Sequence, residues 1–146
     1  MKKSRLFILL AIFFVAGSLV IGSTAAFAAD QVKWHSYKEG MALAKQQNKR
    51  VYLHFYTDWC QYCSAMDKST FHNAKVAKIL NEEFIAIRID TGKDHKLASR
   101  YNIRPVPDNW FLSPDGKKLR NFLGYYEPDQ FVTVLRYVND TLVSQK

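Results

Sequence analysis

Cys60 and Cys63 are the only cysteines of the 146-residue chain, and their spacing of three positions limits what they can do. A disulfide between them closes a loop too small to restrict the unfolded chain much, so it would stabilise a fold poorly. A c-type haem site needs a histidine directly after the second cysteine, where this chain has Ser64. A structural zinc site needs four ligands, and the four histidines are scattered without a second pair at similar spacing. The spacing therefore favours thiol–disulfide exchange and predicts no metal site.

The residues on both sides of the cysteines support this interpretation. Residues 51–56 (VYLHFY) are rich in β-branched and aromatic side chains, which predicts a buried strand. Residues 61–69 lack Pro and Gly and have helical spacing, which predicts a helix that begins at Cys60. Unpaired N–H groups at a helix start favour a thiolate and lower the pKa of a thiol there. Cys60 is therefore predicted to be the nucleophile, and Cys63, one turn further along, the thiol that resolves the mixed disulfide.

The first thirty residues have the pattern of an export signal. Basic residues within positions 2–5 precede an apolar run over residues 6–21, and residues 26–28 (AFA) are of the kind that signal peptidase reads. As a helix the run would span roughly 24 Å, short of the ~30 Å hydrocarbon core, which makes an uncleaved membrane anchor the poorer interpretation. We predict a signal peptide over residues 1–28 and a single domain over residues 29–146, in the periplasm or otherwise exported, where disulfides persist.

Composition and charge exclude several function classes. The chain is 48% hydrophobic and 23% charged, which is typical of one globular domain and excludes a disordered or collagen-like chain. The formal net charge of +8 includes three basic residues that precede the apolar run. No dense basic arm remains, so a nucleic-acid partner is not predicted.

The other segments predict a βαβαβ order followed by α, ββ and α. Ser36 is expected to cap a helix that stops near Asn48, and Pro128 to begin the last helix. The last helix carries an apolar stripe that we interpret as core. The further predicted elements are a helix over 74–81, a strand over 84–90, a short helix near 96–101, and a strand, turn and strand over 110–122; the stripe consists of Phe131, Leu135, Val138 and Leu142.

With W-C-x-x-C after a strand and YNIRPVP at residues 101–107, the chain resembles the thioredoxin superfamily over about residues 32–143. Residues 52–71 (YLHFYTDWCQYCSAMDKSTF) are similar to the C-terminal periplasmic domain of DsbD-type thiol:disulfide interchange proteins and to small exported thioredoxin-like proteins. The resemblance implies an α/β, thioredoxin-like fold with a central mixed β-sheet flanked by helices and C-x-x-C at a helix N-terminus. It also implies a protein-disulfide oxidoreductase that needs no bound cofactor.

Three residues near the cysteines are expected to have supporting roles. Pro107 matches the cis-proline that faces the cysteines in the family, and a cis bond there would expose the Val106 backbone to an incoming peptide. Trp59 is expected both to pack and to form part of the rim that faces the substrate.

Three further residues have open interpretations. Relatives usually carry a buried Asp where this chain has His54: a neutral imidazole can accept a proton from the buried thiol, a charged one would stabilise the thiolate, and a strand histidine with a satisfied hydrogen bond is the alternative. Asp67, four residues after Cys63, matches an acidic residue of the DsbD-type domain, with a solvated helix carboxylate as the alternative. Asp108 follows Pro107 where relatives have Thr or Ser, and an anion near the thiolate would raise its pKa.

The leading hypothesis is an exported thiol:disulfide oxidoreductase that reduces disulfide-containing proteins through Cys60 and Cys63. By resemblance, its electrons would come from a membrane thiol-transfer protein, and the chain is expected to act as a monomer. The intervening residues Gln61 and Tyr62 do not determine the reduction potential, so the direction rests on the resemblance. The alternative is a binding module that delivers Cu(I) through its two thiols without turnover.

Overall fold

The computed structural model describes residues 31–141, which form one five-stranded sheet with helices on both faces. The predicted signal peptide, its cleavage after Ala28, and Leu142 of the apolar stripe lie outside the described residues. The strands are β1 (Trp34–His35), β2 (Arg50–Tyr56), β3 (Phe84–Asp90), β4 (Asp108–Leu112) and β5 (Lys118–Leu123). The helices are α1 (Tyr37–Gln47), α2 (Gln61–Lys68), α3 (Ala74–Glu83), α4 (His95–Arg100) and α5 (Pro128–Thr141).

The sheet is mixed, with strand order β1-β3-β2-β4-β5. Strands β1, β3 and β2 run parallel, whereas β4 pairs antiparallel with both β2 and β5. The β4–β5 hairpin closes through a turn in which the Gly116 N–H donates to the Ser113 carbonyl at 2.9 Å, and Gly116 has a φ of 89°. The predicted thioredoxin-like α/β architecture, with C-x-x-C at a helix start, is confirmed.

Each helix group covers one face of the sheet. Side chains from α2, α3 and α5 form one buried cluster with Tyr52 of β2, and α1 with the segment around Tyr101 forms the other with Leu53. The predicted stripe of α5 lies in the first cluster through Phe131, Leu135 and Val138, all at 0% exposure, which makes it core. Full burial of each such side chain stabilises the fold by about 1.5–3 kcal/mol.

Helix ends follow the local capping signals. Ser36 caps α1 by accepting from the Glu39 N–H, and Asn48 ends that helix in the left-handed region. Helix α3 extends to Glu83, two residues beyond the prediction, because no turn intervenes before β3. Strand β1 has only two residues, too few for a periodic signal in the sequence. Within residues 31–141, no helix has the length and apolar character to cross a membrane.

Candidate active site

The two cysteines lie at the start of α2, shortly after the end of the central strand β2. Cys60 is the N-cap of α2, and a disulfide joins it to Cys63 with 5.2 Å between their Cα atoms. Strand β2 ends at Tyr56, and a tight turn follows in which the Cys60 N–H donates to the Thr57 carbonyl at 3.2 Å. The predicted strand–turn–helix order therefore holds at the cysteine pair, which the structure describes in its oxidised form.

The sulfur atoms differ in exposure and in electrostatic environment. Cys63 is 1% exposed, whereas Cys60 is partly exposed, so a reagent from solvent reaches Cys60 first. The Sγ of Cys60 accepts the N–H of Cys63 at 3.1 Å, at the positive end of the helix. This backbone donor favours negative charge on the outer sulfur.

The loop before β4 lies directly against the cysteine pair. The Val106–Pro107 peptide bond is cis, and the Val106 carbonyl oxygen lies 3.6 Å from the Cys60 Sγ. The Pro107 carbonyl accepts the N–H of Gly124 at 2.8 Å. Gly124 has a φ of 97°, a backbone conformation that residues with a Cβ atom rarely adopt. The end of β5 thus holds the proline loop beside the sulfur atoms.

Large apolar side chains near this loop are exposed. Trp59 is 83% exposed, Tyr62 65% and Leu123 52%. The Tyr62 ring lies 6.4 Å from that of Tyr125, centroid to centroid. Trp59 therefore contributes little to the core. Of its two expected roles, this exposure favours a place on the rim that faces the substrate over a role in packing.

His54 is fully buried within the central strand. Its Nδ1 lies 3.1 Å from Asn109 Oδ1, and its ring meets Phe71 edge-on with centroids 4.9 Å apart. The pKa of His54 is lowered to about 3, mainly by burial and to a smaller extent by the nearby Arg88 guanidinium, while the hydrogen bond to Asn109 acts in the opposite direction. The imidazole is therefore neutral near pH 7, and its Nε2 has no hydrogen-bond partner among residues 31–141.

Asp67 is on the helix one turn after Cys63, as its spacing predicts, and its carboxylate forms an ion pair with Arg88. The Arg88 guanidinium also lies 4.1 Å from the centroid of the Tyr56 ring, and Arg88 pairs with His54 in the β2–β3 register. Sequence reasoning missed Arg88. The available signal was its place on the same side of β3 as the buried Phe84 and Ala86.

Asn109 and Tyr52 complete a buried polar group that sequence reasoning also missed. The Tyr52 hydroxyl donates to Asn109 Oδ1 at 2.7 Å, and Asn109 is 0% exposed. A polar residue inside the strand that follows Pro107 was the available signal. Together Arg88, His54 and Asn109 form a row across β3, β2 and β4, which we call the polar row.

Asp108 faces the other side of the sheet, because side chains alternate along β4. Its carboxylate accepts from Trp110 Nε1 at 3.0 Å and from Asn121 Nδ2 at 3.1 Å. Both oxygen atoms are thus engaged within the sheet, a partnership that the sequence did not indicate.

Residues 31–141 contain no group of three or more His, Cys, Asp or Glu side chains arranged to hold a metal ion.

Several known proteins are similar to this chain in sequence or in fold. A family model described as a thioredoxin-like domain matches residues 37–139. The thiol:disulfide interchange protein DsbD of Vibrio vulnificus is 28% identical over 109 residues, which are 70% of this chain and 18% of that protein. The disulfide bond reductase DsbH of Chlamydia pneumoniae is 24% identical over 108 residues, which are 66% of this chain and 65% of that protein.

Among solved structures, the reduced C-terminal domain of DsbD from Neisseria meningitidis superposes with a TM-score of 0.59 at 26% identity. The match covers 68% of this chain and 90% of that domain. The chain is thus similar to one domain of DsbD, and the matched region spans less than a fifth of the length of the whole Vibrio protein.

Proposed function

The chain belongs to the thioredoxin-like family of disulfide oxidoreductases, and from this premise we propose that it reduces disulfides of exported proteins through Cys60 and Cys63. The observation that carries the proposal is the contrast between the two sulfur atoms: an accessible one at the helix start and a buried one a turn behind it. An exchange in two steps needs an accessible thiol that attacks the substrate and a second thiol close enough to attack the mixed disulfide.

In the first step, the Cys60 thiolate attacks one sulfur of the substrate disulfide. The substrate S–S bond breaks, a mixed disulfide with Cys60 forms, and the departing thiolate takes a proton from water. In the second step, the Cys63 thiol gives up its proton and attacks the Cys60 Sγ. The mixed disulfide breaks, the second substrate thiolate leaves and is protonated, and two electrons have passed from the cysteine pair to the substrate.

His54 is the proposed acceptor of the Cys63 proton. The two buried residues of α2 are Cys63 and Met66, and α2 packs on the sheet face that carries His54. The low pKa of His54 belongs to the disulfide form, and a thiolate at Cys63 would raise it because opposite charge favours the imidazolium. Asp67 acts through Arg88, whose positive charge it offsets.

Val106, Pro107 and Trp59 form the proposed substrate contact. The Val106 backbone lies beside the Cys60 sulfur, where an extended substrate segment can run along it. The exposed indole of Trp59 offers an apolar contact next to the reacting sulfur.

The proposed compartment is the periplasm or another exported location, with residues 1–28 as a cleaved signal peptide. The basic, apolar and small-residue regions of that segment support export. A membrane thiol-transfer protein is the proposed electron donor, as the similarity to an interchange protein suggests. A monomer suffices for the reaction, because one chain supplies both sulfur atoms.

Substitution of each cysteine tests the mechanism. We expect Cys60→Ser to abolish reduction of a protein disulfide and Cys63→Ser to accumulate mixed disulfides that a non-reducing gel resolves. The neighbouring Ser64→Ala variant is the matched control and retains turnover. Equal residual turnover in both cysteine variants would contradict the mechanism. Reduced protein that retains stoichiometric copper and reduces no disulfide would instead support the Cu(I) alternative.

The reduction potential of the Cys60–Cys63 pair tests the direction. A reduction potential of about −270 mV is expected for a reductant and one of about −120 mV for an oxidant. A value close to the second figure would overturn the reducing direction and leave the exchange chemistry in place.

A further inference from the structure

Asn109 uses every hydrogen-bonding position of its side-chain amide. Its Nδ2 donates to the carbonyls of Phe122 and Gly124, each at 3.0 Å. Its Oδ1 lies 2.7 Å from the Tyr52 hydroxyl and 3.1 Å from the Nδ1 of His54. A fully buried amide with four partners is held in one orientation.

This orientation follows from the chemistry of the partners. The carbonyls of Phe122 and Gly124 only accept hydrogen bonds, so the NH₂ end must face them. The oxygen end must then face His54 and Tyr52. Burial raises the pKa of Tyr52 well above its ordinary value, so its hydroxyl keeps its proton and donates to Asn109.

The amide oxygen determines the tautomer of His54. The Asn109 oxygen is an acceptor 3.1 Å from Nδ1. The Tyr52 hydroxyl lies 3.4 Å from the same nitrogen but gives its one proton to Asn109 at 2.7 Å, so the ring proton lies on Nδ1. A neutral imidazole carries only one such proton, so Nε2 has a free lone pair. Among residues 31–141, Nε2 has no hydrogen-bond partner. A buried acceptor without a partner destabilises the fold, so its presence calls for a functional explanation.

We propose that Asn109 is a positioning residue that keeps the ring proton of His54 on Nδ1 and so leaves Nε2 unprotonated, as the acceptor proposed above for the proton of Cys63. The inference rests on the proposed function and deepens it. The same amide connects this role to the substrate loop, because Gly124 accepts from Asn109 and donates to the Pro107 carbonyl.

The first test is a measurement on the reduced wild-type chain. Nitrogen-15 NMR distinguishes a protonated from an unprotonated ring nitrogen, and we expect His54 to show the proton on Nδ1 at neutral pH. A proton on Nε2 would overturn the proposal. This measurement needs no variant, so it decides the matter even if substitutions at Asn109 prevent folding.

The second test separates the two chemical steps with one equivalent of Ellman's reagent. Attack by Cys60 releases the first thiolate, and resolution by Cys63 releases the second. In Asn109→Leu the acceptor is lost and the proton moves toward Nε2, so we expect the second phase to slow by about tenfold, the shift expected for loss of one hydrogen bond. The first phase is expected to stay unchanged.

A further variant serves as a comparison. Tyr52→Phe removes the hydroxyl that donates to Asn109 Oδ1 and lies 3.4 Å from His54 Nδ1, but it leaves the hydrogen bond between Asn109 and His54. We expect this variant to retain both the tautomer and the second phase. An unchanged second phase in a folded Asn109→Leu variant would overturn the positioning role. Release of only one equivalent of thiolate by the wild type would instead contradict the proposed function.

Discussion

On one side of β2, Val51, Leu53 and Phe55 pack in a cluster of apolar and aromatic side chains, which we call the apolar face. On the other side, Tyr52 and His54 lie on the face against which α2 packs, and His54 is the middle residue of the polar row. Both faces are equally buried, yet only one contains an imidazole with an unpartnered nitrogen, at a cost of about 1–3 kcal/mol for such an atom. Packing alone needs no such group. This difference agrees with the proposed proton-accepting role of His54, whereas the apolar face is packed without such a group.

The largest expected effect is the pH dependence of stability that His54 imposes. Its folded pKa lies near 3, whereas its ordinary value is 6.5, so the unfolded chain binds a proton over this range and the folded chain does not. Stability therefore falls as the pH drops from 6.5 toward 3, by about 5 kcal/mol in total. In His54→Leu this contribution disappears. Urea unfolding of both proteins over this range measures it, and parallel curves would contradict it.

The next effect belongs to the apolar face. Leu53 is fully buried at the centre of β2, and Leu53→Ala leaves a cavity there. We expect it to lower the free energy of unfolding by about 2–5 kcal/mol. The ratio of the two phases with Ellman's reagent is expected to stay at the wild-type value at a temperature where the variant is folded. A selective loss of the second phase in Leu53→Ala would contradict the expectation that only the face with His54 affects resolution by Cys63.

His54→Leu, on the face of β2 against which α2 packs, is expected to change the rate of resolution by Cys63 more than the stability of the fold. His54→Leu removes the proposed proton acceptor, so resolution by Cys63 is expected to slow by roughly 100-fold, or about 2.7 kcal/mol. At pH 7 the variant loses little stability, because it also removes an unpartnered buried nitrogen. Stopped-flow measurement of both phases checks this, with Leu53→Ala as the control. Equal slowing in the two variants would show that packing alone controls the rate.

The smallest expected effect on stability is at the exposed rim. Trp59 is 83% exposed, so Trp59→Ala is expected to change the free energy of unfolding by less than about 0.5 kcal/mol. The KM for a protein disulfide is expected to rise about fivefold, roughly 1 kcal/mol, while rates with Ellman's reagent stay unchanged. Tyr137→Ala removes an exposed aromatic side chain that packs near Phe122, and it is the control. An equal rise of KM in both variants would count against a contact specific to Trp59.

Much of the fold was predictable because its signals are local. The strand before the cysteines, the helix that begins after Cys60, and the caps at Ser36 and Asn48 depend on residues within one or two turns of each other. The exposed and buried sulfur atoms also follow from spacing along a single helix.

By itself, the sequence determined the α/β architecture and the pairing of Cys60 with Cys63, through periodicity, capping and spacing. Tertiary structure alone decided which groups surround His54, since Arg88 and Asn109 reach it only through the register of β2 with β3 and β4. Asn109 is 55 positions from His54 in the chain, and a shift of either strand by one residue would turn its amide to the opposite face. The protonation state and tautomer of the imidazole are properties of that register, and no local pattern encodes them.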